Sequence, residues 1–185
     1  MNAIIFHGNY GSPNKNWIPW LKNELEKNGW TVFSPEFPGP EKQSLASWTK
    51  AFKEYKKELN ENTVLIGHSL GAAFILSILE KNNKKVKACF FVAPFISLLN
   101  KIKFDEINKT FTEKEFNWKK IKENCGEFFV IYSDTDPHVP IEKANELSEK
   151  LGCEKILVHG AGHFNEKAGY LEFPFLLKKI EELKK

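Results

Sequence analysis

A serine hydroxyl attacks a carbonyl at neutral pH only where a base touches it and an acid orients that base. One serine of this sequence stands in a setting that fits. Ser69 lies in Gly67-His68-Ser69-Leu70-Gly71, with the apolar run Thr63 to Ile66 before it and a helical pattern opening at Leu70. The motif therefore falls on a sharp strand-to-helix turn, where the strained backbone pushes the hydroxyl out above the sheet. Glycines at 67 and 71 leave room for the helix to approach the strand. The helix start also brings unpaired N–H groups and a partial positive charge beside the point where an oxyanion would form.

Five histidines compete for the role of base. His68 must diverge from its neighbour at the turn, so it reads as a packed or exposed turn residue. His7 closes the first strand and suits a structural role near the site, and His138 lies in the candidate acid loop. His159 and His163 both follow the last strand, in Val158-His159-Gly160-Ala161-Gly162-His163-Phe164. The glycines at 160 and 162 let that loop bend back, which favours His163 as the residue that returns over the serine.

The acid is sought in Tyr132-Ser133-Asp134-Thr135-Asp136-Pro137-His138-Val139-Pro140, which follows another strand at its carboxyl end. Spacing alone admits Asp134 and Asp136. Pro137 biases the residue before it toward extended backbone and so holds Asp136 in a defined conformation, whereas Asp134 is expected to cap the turn through its own backbone amides. The loop His7-Gly8-Asn9-Tyr10-Gly11-Ser12 supplies a fourth element: the backbone amides of Asn9 and Leu70 are the expected oxyanion hole. It lacks the Gly-Lys-Ser/Thr ending of a phosphate-gripping loop, which disfavours nucleotide binding.

These loops need a frame, and the chain predicts one by alternating short apolar runs with stretches of helical period. Strands are expected at Ala3 to Phe6, Thr31 to Phe33, Thr63 to Gly67, Ala88 to Val92, Phe128 to Tyr132 and Lys155 to Val158. Trp17, Leu21 and Leu25 mark one amphipathic helix, and Leu45, Trp48, Phe52, Tyr55 and Leu59 another. Leu70 to Leu79 is apolar nearly all round, as suits a central helix; Ile141 to Leu151 and Phe173 to Leu183 complete the set. The fold class is α/β: a central, mostly parallel sheet of about six strands with helices on both faces. The connection from Ala93 to Glu127 is longer than a plain crossover needs. Its aromatics, Trp118 among them, suit either a cap or lid over Ser69 or ordinary packing on the sheet edge.

At 185 residues the chain is expected to form a single domain, 1–185, and its 42% hydrophobic residues are enough to fill a core. All 27 basic residues are lysine, against 24 acids. Arginine's planar fork is the usual grip on phosphate and guanine, so nucleic acid is not an expected partner. The lysine pairs sit among acids at helical spacing and read as solvated faces. Cys89, Cys125 and Cys153 are odd in number and far apart, which speaks against a disulfide framework or a zinc site. No segment reads as a signal peptide or approaches the ~20 apolar residues of a membrane span. A cytoplasmic protein without membrane association is expected.

The opening strand with Gly8-Asn9, the Ser69 elbow, Trp118-Lys119-Lys120-Ile121-Lys122-Glu123-Asn124-Cys125, Ser133-Asp134-Thr135-Asp136-Pro137 and Gly162-His163-Phe164 together resemble a known family. It comprises the small serine hydrolases related to retinoblastoma-binding protein nine and the bacterial YdeN proteins, within the α/β-hydrolase superfamily. The resemblance spans nearly the whole chain and implies a reduced α/β-hydrolase fold with Ser69 as nucleophile, Asp136 as acid and His163 as base, in that chain order. The Leu-x-Cys-x-Glu motif of the vertebrate namesake is absent: Glu123 stands where leucine is needed before Cys125, and Cys89 and Cys153 lack the glutamate. Retinoblastoma-type binding is therefore not expected. The expected activity is hydrolysis of a small acyl ester without cofactor or metal, with Tyr10, His68 and Trp118 touching the substrate. The rivals are an amide or thioester hydrolase, and a binding or scaffold protein on the same fold.

Overall fold

The computed structural model describes residues 1–184. Six strands, β1 (Asn2–Phe6), β2 (Thr31–Phe33), β3 (Thr63–His68), β4 (Val86–Val92), β5 (Cys125–Tyr132) and β6 (Lys155–Leu157), form one sheet in the order β2-β1-β3-β4-β5-β6. Every pairing is parallel, so the mostly parallel sheet expected is wholly so. The central strand β3 is buried from end to end. That is why it reads as a continuous apolar run rather than an alternating one.

Side chains alternate across the sheet at period two and divide the core into two layers. Ala3, Ile5, Val64, Ile66, Ala88 and Phe90 face helices α1 (Ile18–Lys27) and α7 (Pro174–Glu181), which contribute Leu21, Leu25, Leu176 and Ile180. Ile4, Phe6, Leu65, Cys89, Phe91 and Val130 face the other way. They meet α2 (Leu45–Phe52), α3 (Leu70–Lys81), α5 (Trp118–Glu123) and α6 (Ile141–Leu151). Nine of the twelve residues of α3 are buried, since sheet and helices enclose it. The second amphipathic stripe becomes α2, whose Ser44 and Ser47 form a capping box, followed by a 3-10 segment, Lys53–Glu58.

The long connection lies largely along α3. Strand β5 starts at Cys125, earlier than Phe128, because Gly126 and Glu127 are weak strand formers that continue the ladder with β4. The connection folds as α4 (Ile102–Thr112) and α5, both packed along α3. Phe111 is fully buried against Trp48 and Phe74. Trp118 lies at the far end: Lys114 pairs with Glu80 at the C-terminal end of α3, the Asn117 amide donates to the same carboxylate, and Trp118 stacks obliquely on Phe116. Glu80 is eleven residues from Ser69, roughly 16 Å along the helix. Trp118, expected at the substrate, thus does not line the cavity beside Ser69. Of residues 93–127 only Phe104, early in α4, lines the cavity beside Ser69.

Among the described residues no helix is long and apolar enough to cross a membrane.

Candidate active site

The turn at Ser69 joins β3 to α3, with φ 55° and ψ −118° at the serine. A non-glycine residue rarely adopts this backbone, and here its surroundings hold it. The Ser69 amide donates to the Val92 carbonyl at 2.8 Å, locking the turn to the neighbouring strand. The flanking glycines are needed for space. A Cβ on Gly67 would lie 2.8 Å from the backbone carbon of Gly71 and from Ile75 Cδ1, and one on Gly71 would lie 2.8 Å from the Phe6 carbonyl oxygen. Leu70 is the first residue of α3, so its N–H has no intrahelical acceptor.

The loops after β5 and β6 deliver an aspartate and a histidine in contact. His163 Nδ1 lies 2.8 Å from Asp136 Oδ2, and the two side chains are 12% and 3% exposed. Asp136 Oδ1 accepts the backbone N–H groups of His138 (2.8 Å) and Val139 (3.0 Å). Burial disfavours the charge on Asp136, but the bond and charge of His163 and these two amides outweigh it, and the carboxyl is held below its usual range. An ionised carboxylate only accepts, so His163 Nδ1–H is the donor of this bond.

Ser69 and His163 line one cavity of about 530 Å³, with Gly8, Asn9, Tyr10, Phe104 and His138 among its walls. Among the described residues no hydrogen bond joins the Ser69 hydroxyl to His163; such bonds are often long before substrate arrives. The opening loop approaches the serine closely, since a Cβ on Gly8 would sit 2.8 Å from Ser69 Cβ. His7 Nδ1 lies 2.8 Å from the Gly8 carbonyl, and its Nε2 accepts the Phe37 amide at 3.0 Å. The Gly11 amide donates to that same carbonyl. Among the described residues no peptide is cis, so the Asn9 N–H points opposite to the carbonyl so held. Both polar atoms of the Asn9 side chain are buried and have no hydrogen-bond partner among the described residues.

The remaining assignments divide. Tyr10 stands at the cavity, 62% exposed. His68 borders it but is buried, and its Nε2 lies 2.9 Å from the His163 carbonyl oxygen. Burial first, then repulsion from His163, lowers its pKa to about 3, so the ring is neutral and Nε2 donates. Asp134 does not simply cap its own turn: it accepts from the Gly160 amide at 2.8 Å and meets His159 Nδ1 at 2.7 Å. Lys15, Asn16, Asn165, Glu166 and Lys167 also line the cavity and were not among the expected site residues. No local pattern marks them.

A family model described as serine hydrolase matches residues 3–182. The chain belongs to the serine hydrolase family. It is 31% identical to YdeN of Bacillus subtilis (strain 168) over 177 residues, 94% of this chain and 91% of the relative. It is 26% identical to serine hydrolase RBBP9 of Rattus norvegicus over 186 residues, 98% of this chain and 94% of that one. The crystal structure of the B. subtilis ydeN product superposes with a TM-score of 0.92 at 28% identity, covering 98% of this chain and 97% of that one. Est1E from Butyrivibrio proteoclasticus, solved with ferulic acid bound, shares the fold at a TM-score of 0.71 and 18% identity, with 97% and 89% of the chains covered. The fold is that of the α/β hydrolases.

Proposed function

We propose that this hydrolase is an esterase that cleaves small acyl esters through an acyl-enzyme on Ser69. The reading rests on one observation above the rest: a buried Asp136–His163 hydrogen bond that opens onto the cavity holding Ser69. His163 Nε2 takes the proton as Ser69 Oγ attacks the carbonyl carbon, and Asp136 steadies the imidazolium that results. The amides of Leu70 and Asn9 receive the developing oxyanion. His163 then protonates the departing alcohol, and water attacks the acyl-enzyme by the same proton route in reverse.

A small acyl group is the proposed fit for a cavity that Phe104, Val139 and His138 line together with Ser69. A small-molecule ester is the proposed partner, and the three free thiols suit a reducing, cytoplasmic setting.

Hydrolysis of p-nitrophenyl esters from acetate to dodecanoate tests both parts. Turnover is expected to be greatest with the shortest acyl chains. Ser69→Ala should stay folded and lose ~10³-fold or more in kcat. An undiminished rate in that variant contradicts the nucleophile assignment, and hydrolysis confined to p-nitrophenyl amides or thioesters moves the activity to those bonds.

A further inference from the structure

Asp136 fixes only the ring end of His163; the backbone that carries the ring needs its own anchors. It belongs to a loop with three residues in the left-handed region, Gly160 (φ 68°), Gly162 (φ 53°) and Phe164 (φ 49°), so sequence alone does not stiffen it. Its early amides are tied to the acid loop: Ala161 to Ser133 Oγ at 3.0 Å and Gly162 to Thr135 Oγ1 at 3.1 Å. Its last two carbonyls face the nucleophile's side of the site. That of His163 receives His68 Nε2–H at 2.9 Å, and that of Phe164 receives Trp17 Nε1–H at 3.0 Å. The two donors are themselves in edge-to-face contact, with ring centroids 5.9 Å apart.

We infer that His68 is a positioning residue, which ties the backbone of His163 to the residue covalently joined to Ser69 and so sets the distance between nucleophile and base. The inference rests on the reading of Ser69 and His163 given above. His68 ends β3 and precedes Ser69 directly, so any displacement of its ring is passed on to the elbow through one peptide. Its bond and that of Asp136 hold His163 at opposite ends, backbone and ring. Neutrality suits the task. A neutral imidazole offers one fixed N–H and places no positive charge 4.9 Å from the ring that must become cationic in the reaction. Trp17, fully buried, backs the ring of His68 and holds the next carbonyl.

Two substitutions separate a hydrogen-bonding role from a packing role. His68→Gln keeps an N–H donor of similar reach and discards the ring; His68→Phe keeps the ring against Trp17 and discards the donor. On one short p-nitrophenyl ester, His68→Gln should stay within a few-fold of the wild type. His68→Phe should lose on the order of 10²-fold in kcat with KM little changed, the scale of a reacting pair misplaced by about 1 Å. Labelling by a fluorophosphonate should slow in parallel. The reverse order, or equal loss in both, overturns the inference. Should His68→Phe fail to fold, His68→Leu carries the same test with a smaller side chain. Ser69→Ala and His163→Ala are run beside them. If those two abolish hydrolysis while His68→Phe matches the wild type, the positioning role alone falls; if they retain it, the site reading falls and takes the positioning role with it.

Discussion

The loops after β5 and β6 are joined by two aspartate–histidine pairs built from the same atoms. Asp134 meets His159 at 2.7 Å and Asp136 meets His163 at 2.8 Å, each through Oδ2 and Nδ1. Both carboxyls are held below their usual range. What separates them is position. The side chains of the first pair are 80% exposed at His159 and 37% at Asp134, where water screens the charges. The second pair is 12% and 3% exposed, and its His163 borders the cavity that Ser69 also lines. A hydrogen bond of good length is therefore no mark of a catalytic group. Burial makes the interaction strong, and in the proposed mechanism Ser69 gives it a use.

That contrast breaks most sharply at the buried pair. Asp136→Asn is expected to leave the fold intact and lower kcat by up to ~10⁴-fold, because an amide no longer enforces the Nδ1–H tautomer. Steady-state kinetics on one ester, with circular dichroism as the fold check, measures it. A pH series sharpens the point. Because the folded Asp136 carboxyl lies below its unfolded value, the stability it contributes is present above about pH 3.9 and is lost as pH falls through the lower folded value. The difference in Tm between wild type and Asp136→Asn should thus be fullest above about pH 4 and narrow below it. A gap that widens on acidification contradicts the sign.

Smaller effects are expected away from the cavity. Trp118→Ala removes packing at the far end of α3 and should lower stability by about 1–3 kcal/mol, read from urea unfolding, with kcat/KM within about 2-fold of wild type. A selective change in KM would return Trp118 to the substrate. Least of all is expected at the exposed pair. Asp134→Asn and His159→Ala should each leave kcat within about 3-fold, as for an ion pair screened by solvent; a loss at Asp134 larger than that at Asp136 would exchange the two pairs.

What could be read in advance followed from how local each signal is. The elbow is a five-residue pattern between a strand and a helix, and the steric demands at Gly67 and Gly71 are met within a few residues of chain. Pro137 and the glycines of the base loop likewise act on their neighbours, which is why Asp136 and His163 could be preferred over Asp134 and His159. The strands of the sheet were legible from apolar runs, but the start of β5 was hidden by Gly126 and Glu127. The placement of Trp118 was not legible, because an aromatic requires an apolar surface without saying which, and α3 offers one along its whole length. The bond of His68 joins residues 95 positions apart, and no sequence spacing encodes it.

The most direct test of the account is covalent. A fluorophosphonate is allowed to react with the wild-type protein, with Asp136→Asn and with Asp134→Asn, and peptide mass spectrometry locates and times the adduct. The account predicts a single adduct on Ser69, formed at nearly the wild-type rate in Asp134→Asn and far more slowly in Asp136→Asn. An adduct on another serine, or equal rates in the two variants, would contradict the claim that the buried pair is the one that activates Ser69.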